Sequence, residues 1–157
     1  MKFKPLLACL LLPVACGALA APFTVSADGQ EVTDTKTGLI WRRCAEGMTA
    51  SGGTCTGTAT NFSYEAAVTR ASTQATNTGV AWRLPNVKEL SSIADKSRAN
   101  PAIDTVAFPV TPASDFWSSS PYVGYAYFAW IVSFIDGYVD VSYRYNTYYV
   151  RLVRAGQ

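Results

Sequence analysis

Residues 116–154 constrain this chain more than any other stretch. They hold Tyr122, Tyr125, Tyr127, Tyr138, Tyr143, Tyr145, Tyr148 and Tyr149, eight of the nine tyrosines, yet no Lys, Glu, Gln or Met lies between Ser118 and Tyr149. Aromatic side chains favour pleated strands, so the stretch predicts β-structure, and two readings of its tyrosines fit. They are the rims of a strand-rich core, or they form a contact surface. Tyr among Ser, Gly, Asn and Asp supplies rigid amphipathic area with adaptable hydrogen bonding. Along the middle of the stretch Trp130, Val132 and Phe134 alternate with Ile131, Ser133 and Ile135, which predicts a strand with the first set facing the core and the second facing out. Asp136-Gly137 marks a hairpin returning through Val139 and Val141, and residues 149–154 alternate as a last strand would.

The chain before this stretch supplies the layers that would cover such strands. Val32-Thr33-Asp34 and Leu39-Ile40-Trp41-Arg42 flank a turn containing Gly38 and predict an opening hairpin. From there to Thr60 the chain is rich in Thr, Gly, Ser and Ala and predicts a surface loop. Ser63 as N-cap, Glu65 in the first turn and Tyr64, Ala67, Val68, Ala71 and Ala75 at helical spacing predict a helix over 64–74, stopped by Asn77-Thr78-Gly79. Pro85 forces Leu84 to be extended. Asn86 and Glu89 then form a capping-box pair opening a second helix with Val87, Leu90, Ser91 and Ala94 inward. Residues 97–115, with Pro101, Pro109 and Pro112, predict an irregular connection pinned by Ile103, Val106 and Phe108.

The 157 residues suit one domain over 21–157, and 49% apolar content allows a sizeable core. A net charge of +2 from scattered Lys and Arg implies no nucleic-acid partner. Histidine is absent, which removes the commonest general base and zinc ligand. No cofactor is implied. Lys2 and Lys4, the apolar run 6–15 and Ala18-Leu19-Ala20 read as a signal peptide over 1–20, cleaved before Ala21, so the mature chain is expected to be exported, in the periplasm or at the cell surface. The run is too short for a transmembrane helix. Cys16 would also suit lipid attachment, although Pro13 stands where such signals usually carry Leu. Cleavage leaves Cys44 and Cys55 as the cysteines of an exported protein, and in an oxidising compartment they are expected to pair.

Five segments together resemble one family, the Lcl C-terminal-like domain of exported bacterial proteins. They are Asp34-x-x-Thr37-Gly38-Leu39-x-Trp41, the pair Cys44 and Cys55, Trp82-Arg83-Leu84-Pro85-Asn86-x-x-Glu89-Leu90, Phe116-Trp117-Ser118-Ser119-Ser120, and 149–154. The resemblance implies an α+β fold of the C-type-lectin-like or sulfatase-modifying-factor-like kind, with two helices packed on short antiparallel strands. The C-terminal part is similar to the variable proteins of diversity-generating retroelements, whose varied codons are NNC and so exclude Lys, Glu, Gln, Met and Trp. Ile131, Ser133, Ile135, Asp136, Tyr138, Asp140, Val141, Ser142, Tyr143, Tyr145, Asn146, Thr147 and Tyr148 all fall within that set.

The functional expectation is a ligand-binding module whose candidate variable region is 117–154. Its contact residues would be Tyr122, Tyr125 and Tyr127 with the NNC positions just named, Val141 excepted, and its partner an extracellular or cell-surface protein or glycan. An adhesin-type or structural domain with a fixed surface is the alternative. The calcium-binding motifs of C-type lectins are missing from the sequence. An enzyme is not expected either: no cysteines stand near the C-terminal strands as in formylglycine-generating enzymes, and His is lacking.

Overall fold

The computed structural model describes residues 22–156; the signal-peptide reading of 1–20 and the lipid reading of Cys16 lie outside the described residues. The domain is α+β. Strands β1 (Phe23–Val25), β2 (Glu31–Asp34), β3 (Leu39–Arg42) and β9 (Val153–Ala155) form one antiparallel sheet in the order β1-β2-β3-β9. β4 (Met48–Ser51) and β5 (Thr54–Gly57) form a hairpin, and β6 (Asp115–Pro121), β7 (Phe128–Ser133) and β8 (Val139–Tyr143) a second antiparallel sheet in chain order. Helices α1 (Tyr64–Thr78) and α2 (Val87–Ser92) lie between. The pairing of Trp41 in β3 with Val153 in β9 closes the last strand onto the first sheet.

Both faces of β6 and β7 are core. Phe116, Val132 and Phe134 join Leu90 and Ile93 of the α2 region, together with Val32, Trp41, Ile103 and Phe108, in one buried cluster. Their neighbours in sequence, Trp117, Ala129 and Ile131, join Tyr64, Ala67 and Ala71 of α1, with Trp82, Leu84, Val150 and Leu152, in another. The period of two along a strand sends successive side chains to opposite faces, and here each face meets a helix. That corrects the expected division of β7: Ile131 is 5% exposed and a core residue, whereas Trp130 is only half-buried.

Local chemistry fixes the helices. Ser63 caps α1, its hydroxyl accepting from Ala66 N–H, and Gly79 ends it in the left-handed conformation at φ 66°. The helix runs a turn further than expected, and Val68, expected inward, is exposed. At α2 the capping box is complete: Glu89 N–H donates to Asn86 Oδ1 at 2.9 Å and Asn86 N–H to Glu89 Oε2 at 2.8 Å. Arg83 adds two bonds of 2.7 Å to the Glu89 carboxylate. They hold the Glu89 carboxyl below its ordinary range.

The segment expected to be a surface loop up to Thr60 instead contains the β4–β5 hairpin. Its two-residue turn, Gly52-Gly53, has φ of 58° and 80°, the pair of positive values that a tight hairpin needs. Cys44 and Cys55 form the expected disulfide and fasten this hairpin. Residues 97–115 are irregular as expected, with Ile103 and Phe108 fully buried, but Val106 is exposed. The segment is held instead by Arg43, which donates to the carbonyls of Val106 and Ala107, and by the buried Arg151, which donates to Arg42 O, Arg43 O and Thr111 Oγ1. Burial pushes the Arg151 guanidinium down to about 9, so it remains a cation at neutral pH.

Candidate binding surface

The Ser triplet after Trp117 sets the geometry of the tyrosine-rich region. The β6–β7 register shifts between Trp117 and Pro121. There Ser118 Oγ donates to Trp130 O at 2.7 Å, in place of a ladder bond. Ser120 Oγ accepts from Val87 N–H, one of the donors that the first turn of α2 leaves free. Ser119 donates its N–H to Pro85 O and accepts from Tyr64 Oη. The end of β6 is thus tied to both helices, and the 121–127 connection leaves it from a fixed point.

From that point a continuous row of aromatic rings crosses the surface. Trp130 meets Tyr122 edge-on at 5.4 Å, Tyr122 stacks near Tyr125 at 6.3 Å, and Tyr125 lies 6.1 Å from Phe128. Phe128 then meets Tyr143 at 4.1 Å, and Tyr143 stacks on Tyr145 at 5.1 Å. The register explains the crossing between strands, since Phe128 of β7 stands directly opposite Tyr143 of β8. Gly124 makes room for the first part of the row, because a Cβ there would come within 2.8 Å of the Tyr122 ring. Tyr125 is 67% exposed, Tyr127 79%, Tyr143 44% and Tyr145 72%. Outward rings on this scale are an apolar patch that water does not favour.

At one end of the row stands Arg144. Its guanidinium pairs with Glu65 at 2.9 Å, donates to Ala126 O at 3.2 Å and lies over the Tyr64 ring at 4.3 Å. Its backbone N–H donates to Tyr127 O and its carbonyl accepts from Tyr64 N–H. Burial raises the Tyr64 phenol, with the Arg144 charge opposing. Glu65, Ala126, Tyr127, Arg144 and Tyr145 line a shallow pocket of about 460 Å³.

The structure therefore gathers Tyr122, Tyr125, Tyr127, Tyr143 and Tyr145 on one surface and distributes the other sequence candidates differently. Ile131 is in the core, as above. Ser142 is buried, bonded at 2.9 Å to both Tyr148 Oη and Asn146 Nδ2, and Tyr148 packs edge-on against Trp117 at 5.0 Å. Those three form an internal network. Ile135, Asp136 and Tyr138 occupy the far turn of the β7–β8 hairpin, where Tyr138 faces the Lys96 ammonium at 5.0 Å. Asp140 and Thr147 are exposed and Ser133 partly so. Four residues of the surface escaped the sequence reading: Phe128, Trp130, Arg144 and Glu65. A signal existed for one of them, since Arg144 is the single basic residue between Arg98 and Arg151.

Partly buried Asp115, at the start of β6, has its carboxyl raised by desolvation and by Asp136 and Asp140, and lies outside the ring row. Among the described residues no group of three His, Cys, Asp or Glu side chains is placed to hold a metal ion. No described helix is long and apolar enough to cross a membrane. The model of the Lcl C-terminal domain family matches residues 30–154. No curated protein and no solved structure matches the chain.

Proposed function

The chain belongs to the Lcl C-terminal domain family, and from that premise we propose that it is an exported binding module that presents the row of rings to a macromolecular ligand outside the cell. One observation carries this reading: six aromatic rings, each meeting the next, run in one row across the surface, with Tyr125, Tyr143 and Tyr145 exposed. Rigid aromatic anchors supply most of the affinity in protein contacts. The Cys44–Cys55 disulfide fits an oxidising compartment. Binding, and not catalysis, is the role that rings without a histidine or a free thiol support.

Replacing Tyr125, Tyr127, Tyr143 and Tyr145 together by Ser tests it. These side chains are exposed, so each change should alter stability by no more than about 0.5 kcal/mol. A ligand found by screening the exported chain on protein and glycan arrays should lose binding altogether, because a central anchor contributes about 2 kcal/mol or more. Undiminished affinity in the folded variant places the site elsewhere.

Retroelement-type variation is a second element of the proposal, confined to the exposed positions. Ile131, Ser142 and Tyr148 are packed, and there the fixed, adhesin-type reading is favoured, because an NNC change would introduce charges such as Asp into the core. The coding DNA decides: a nearby near-identical repeat with AAC codons at 125, 127, 143 and 145 supports diversification. Absence of any such repeat leaves a fixed surface.

A further inference from the structure

The two edges of the first sheet, β9 and β1, are treated differently by the fold. At β9, Arg83 exchanges main-chain bonds of 2.9 and 3.0 Å with Val153 and covers the edge. At β1 the bonds that flank the strand, Ser26 N–H to Glu31 O and Thr35 N–H to Pro22 O, set the alternation of the antiparallel pair. Thr24 therefore faces Thr33, and the main-chain groups of Phe23 and Val25 point away from β2. Among the described residues no hydrogen bond reaches those four groups. Natural sheets blunt such an edge with charged side chains, proline or a covering segment, and the span Phe-Thr-Val carries neither of the first two.

At the Phe23 end of this edge lies a cavity of about 480 Å³, whose lining includes Phe23 and Ile93 together with Asp34, Asp95, Asp104, Lys36 and Lys96. Its carboxylates are already engaged. Asp34 accepts from Lys36 N–H and Thr37 Oγ1, Asp104 from the N–H groups of Val106 and Ala107, and Asp95 from Ser97 and Arg98. The two ammonium groups are not: both lysines are exposed, and among the described residues neither is ion-paired. The unpaired charge at the cavity is therefore positive, beside the apolar side chains of Phe23 and Ile93.

We propose that β1 takes the C-terminal segment of a polypeptide as an added antiparallel strand, its terminal carboxylate held at this cavity by Lys36 and Lys96. The direction follows from the sheet, all of whose pairings are antiparallel: a strand running against β1 ends beside Phe23, where the ammonium groups are. Phe23 and Val25 supply main-chain bonds, which give affinity, and the cavity takes the last side chain, which gives specificity. The site is on the sheet that does not carry the ring row, so it stands or falls independently of the surface proposed above.

The test selects binders to the full chain from a library of random peptides displayed with free C-termini, then titrates a selected peptide by fluorescence anisotropy. Amidating its C-terminus should weaken binding at least about tenfold, a loss of about 1.4 kcal/mol. The double change Lys36→Ala and Lys96→Ala should do the same. Val25→Pro removes an outward N–H that the ladder does not use and should abolish binding, and an N-methyl group on the peptide amide paired there should match it without altering the protein. Unfolding midpoints close to the parent's confirm that the variants are folded. A library without a binder overturns the proposal, and so does a binder indifferent to amidation and to the lysines. A peptide lost from the four-tyrosine variant belongs to the ring row, and a parent that self-associates until Val25→Pro makes it monomeric assigns the edge to a second copy; either result refutes the C-terminal peptide at β1.

Discussion

Ile131→Asn is the perturbation that separates the two ways of dividing β7. Strict alternation puts this side chain outside, where Asn would be nearly neutral, within about 1 kcal/mol. The structure puts it 5% exposed within the second cluster, opposite Trp117 of β6. Losing a buried Ile side chain forfeits about 2–3 kcal/mol of transfer free energy. A residual cavity adds to this, and an amide buried without full partners costs about 1–3 kcal/mol more. The expected loss is therefore about 4–6 kcal/mol, most of what a domain typically has, about 5–15 kcal/mol. Urea unfolding measures it as a lower midpoint at constant slope, and Ile131→Val should cost only about 0.5–1.5 kcal/mol. If Ile131→Asn unfolds within about 1 kcal/mol of the parent, the two-faced core is wrong.

The disulfide should be found by mass, with the chain produced in an oxidising compartment lighter by two hydrogens than the reduced one. Changing Cys44 and Cys55 to Ser should cost about 3 kcal/mol, the loop-closure value for a separation of 11 residues. Free thiols at both Cys44 and Cys55 in that sample would refute the pairing. Stability should also fall with acid through Glu89: its folded carboxyl is lowered by the Arg83 bonds, so the contribution is complete above the ordinary value of 4.5 and is lost as pH drops through the lower folded value. Glu89→Gln should flatten this part of the pH–stability curve, and an unchanged curve would remove the pair as its cause.

What was legible in the sequence was set by neighbours in the chain. The Asn86–Glu89 capping box, the Gly79 stop and the Asp136-Gly137 turn are chemistry within a few residues, and each appears in the structure. The β4–β5 hairpin had its signal in Gly52-Gly53, but its strands carry few large apolar side chains, so periodicity said nothing. Ile131 was misplaced for a different reason. Both faces of the sheet are covered, and a strand buried on both faces reads as a continuous apolar run whose inside cannot be picked by alternation. The least legible features span the chain: β3 with β9, and Arg151 reaching the carbonyls of Arg42 and Arg43. No local pattern marks an arginine for full burial, a state rare for the type.

Arg144 belongs with those long-range features, and it explains how a flexible-looking connection can present a defined surface. The 121–127 segment has exposed side chains at Val123, Tyr125 and Tyr127, and a loop of that kind unsupported would lose ordering entropy on binding. Two of its residues are instead anchored at the main chain, Ala126 to the Arg144 guanidinium and Tyr127 to the Arg144 N–H. Arg144 is in turn held by Glu65 and Tyr64 at the start of α1, a helix packed on the sheet through Ala67 and Ala71. The outward rings therefore rest on core packing in part through this one residue, by its side chain and its main chain. Variation at Tyr125, Tyr127 or Tyr145 leaves that linkage intact, whereas variation at 144 would remove the side-chain bonds to Ala126 and Glu65 and leave the main-chain bonds to Tyr127 and Tyr64, so the one basic residue of the region is a position the surface can vary only at a cost in order.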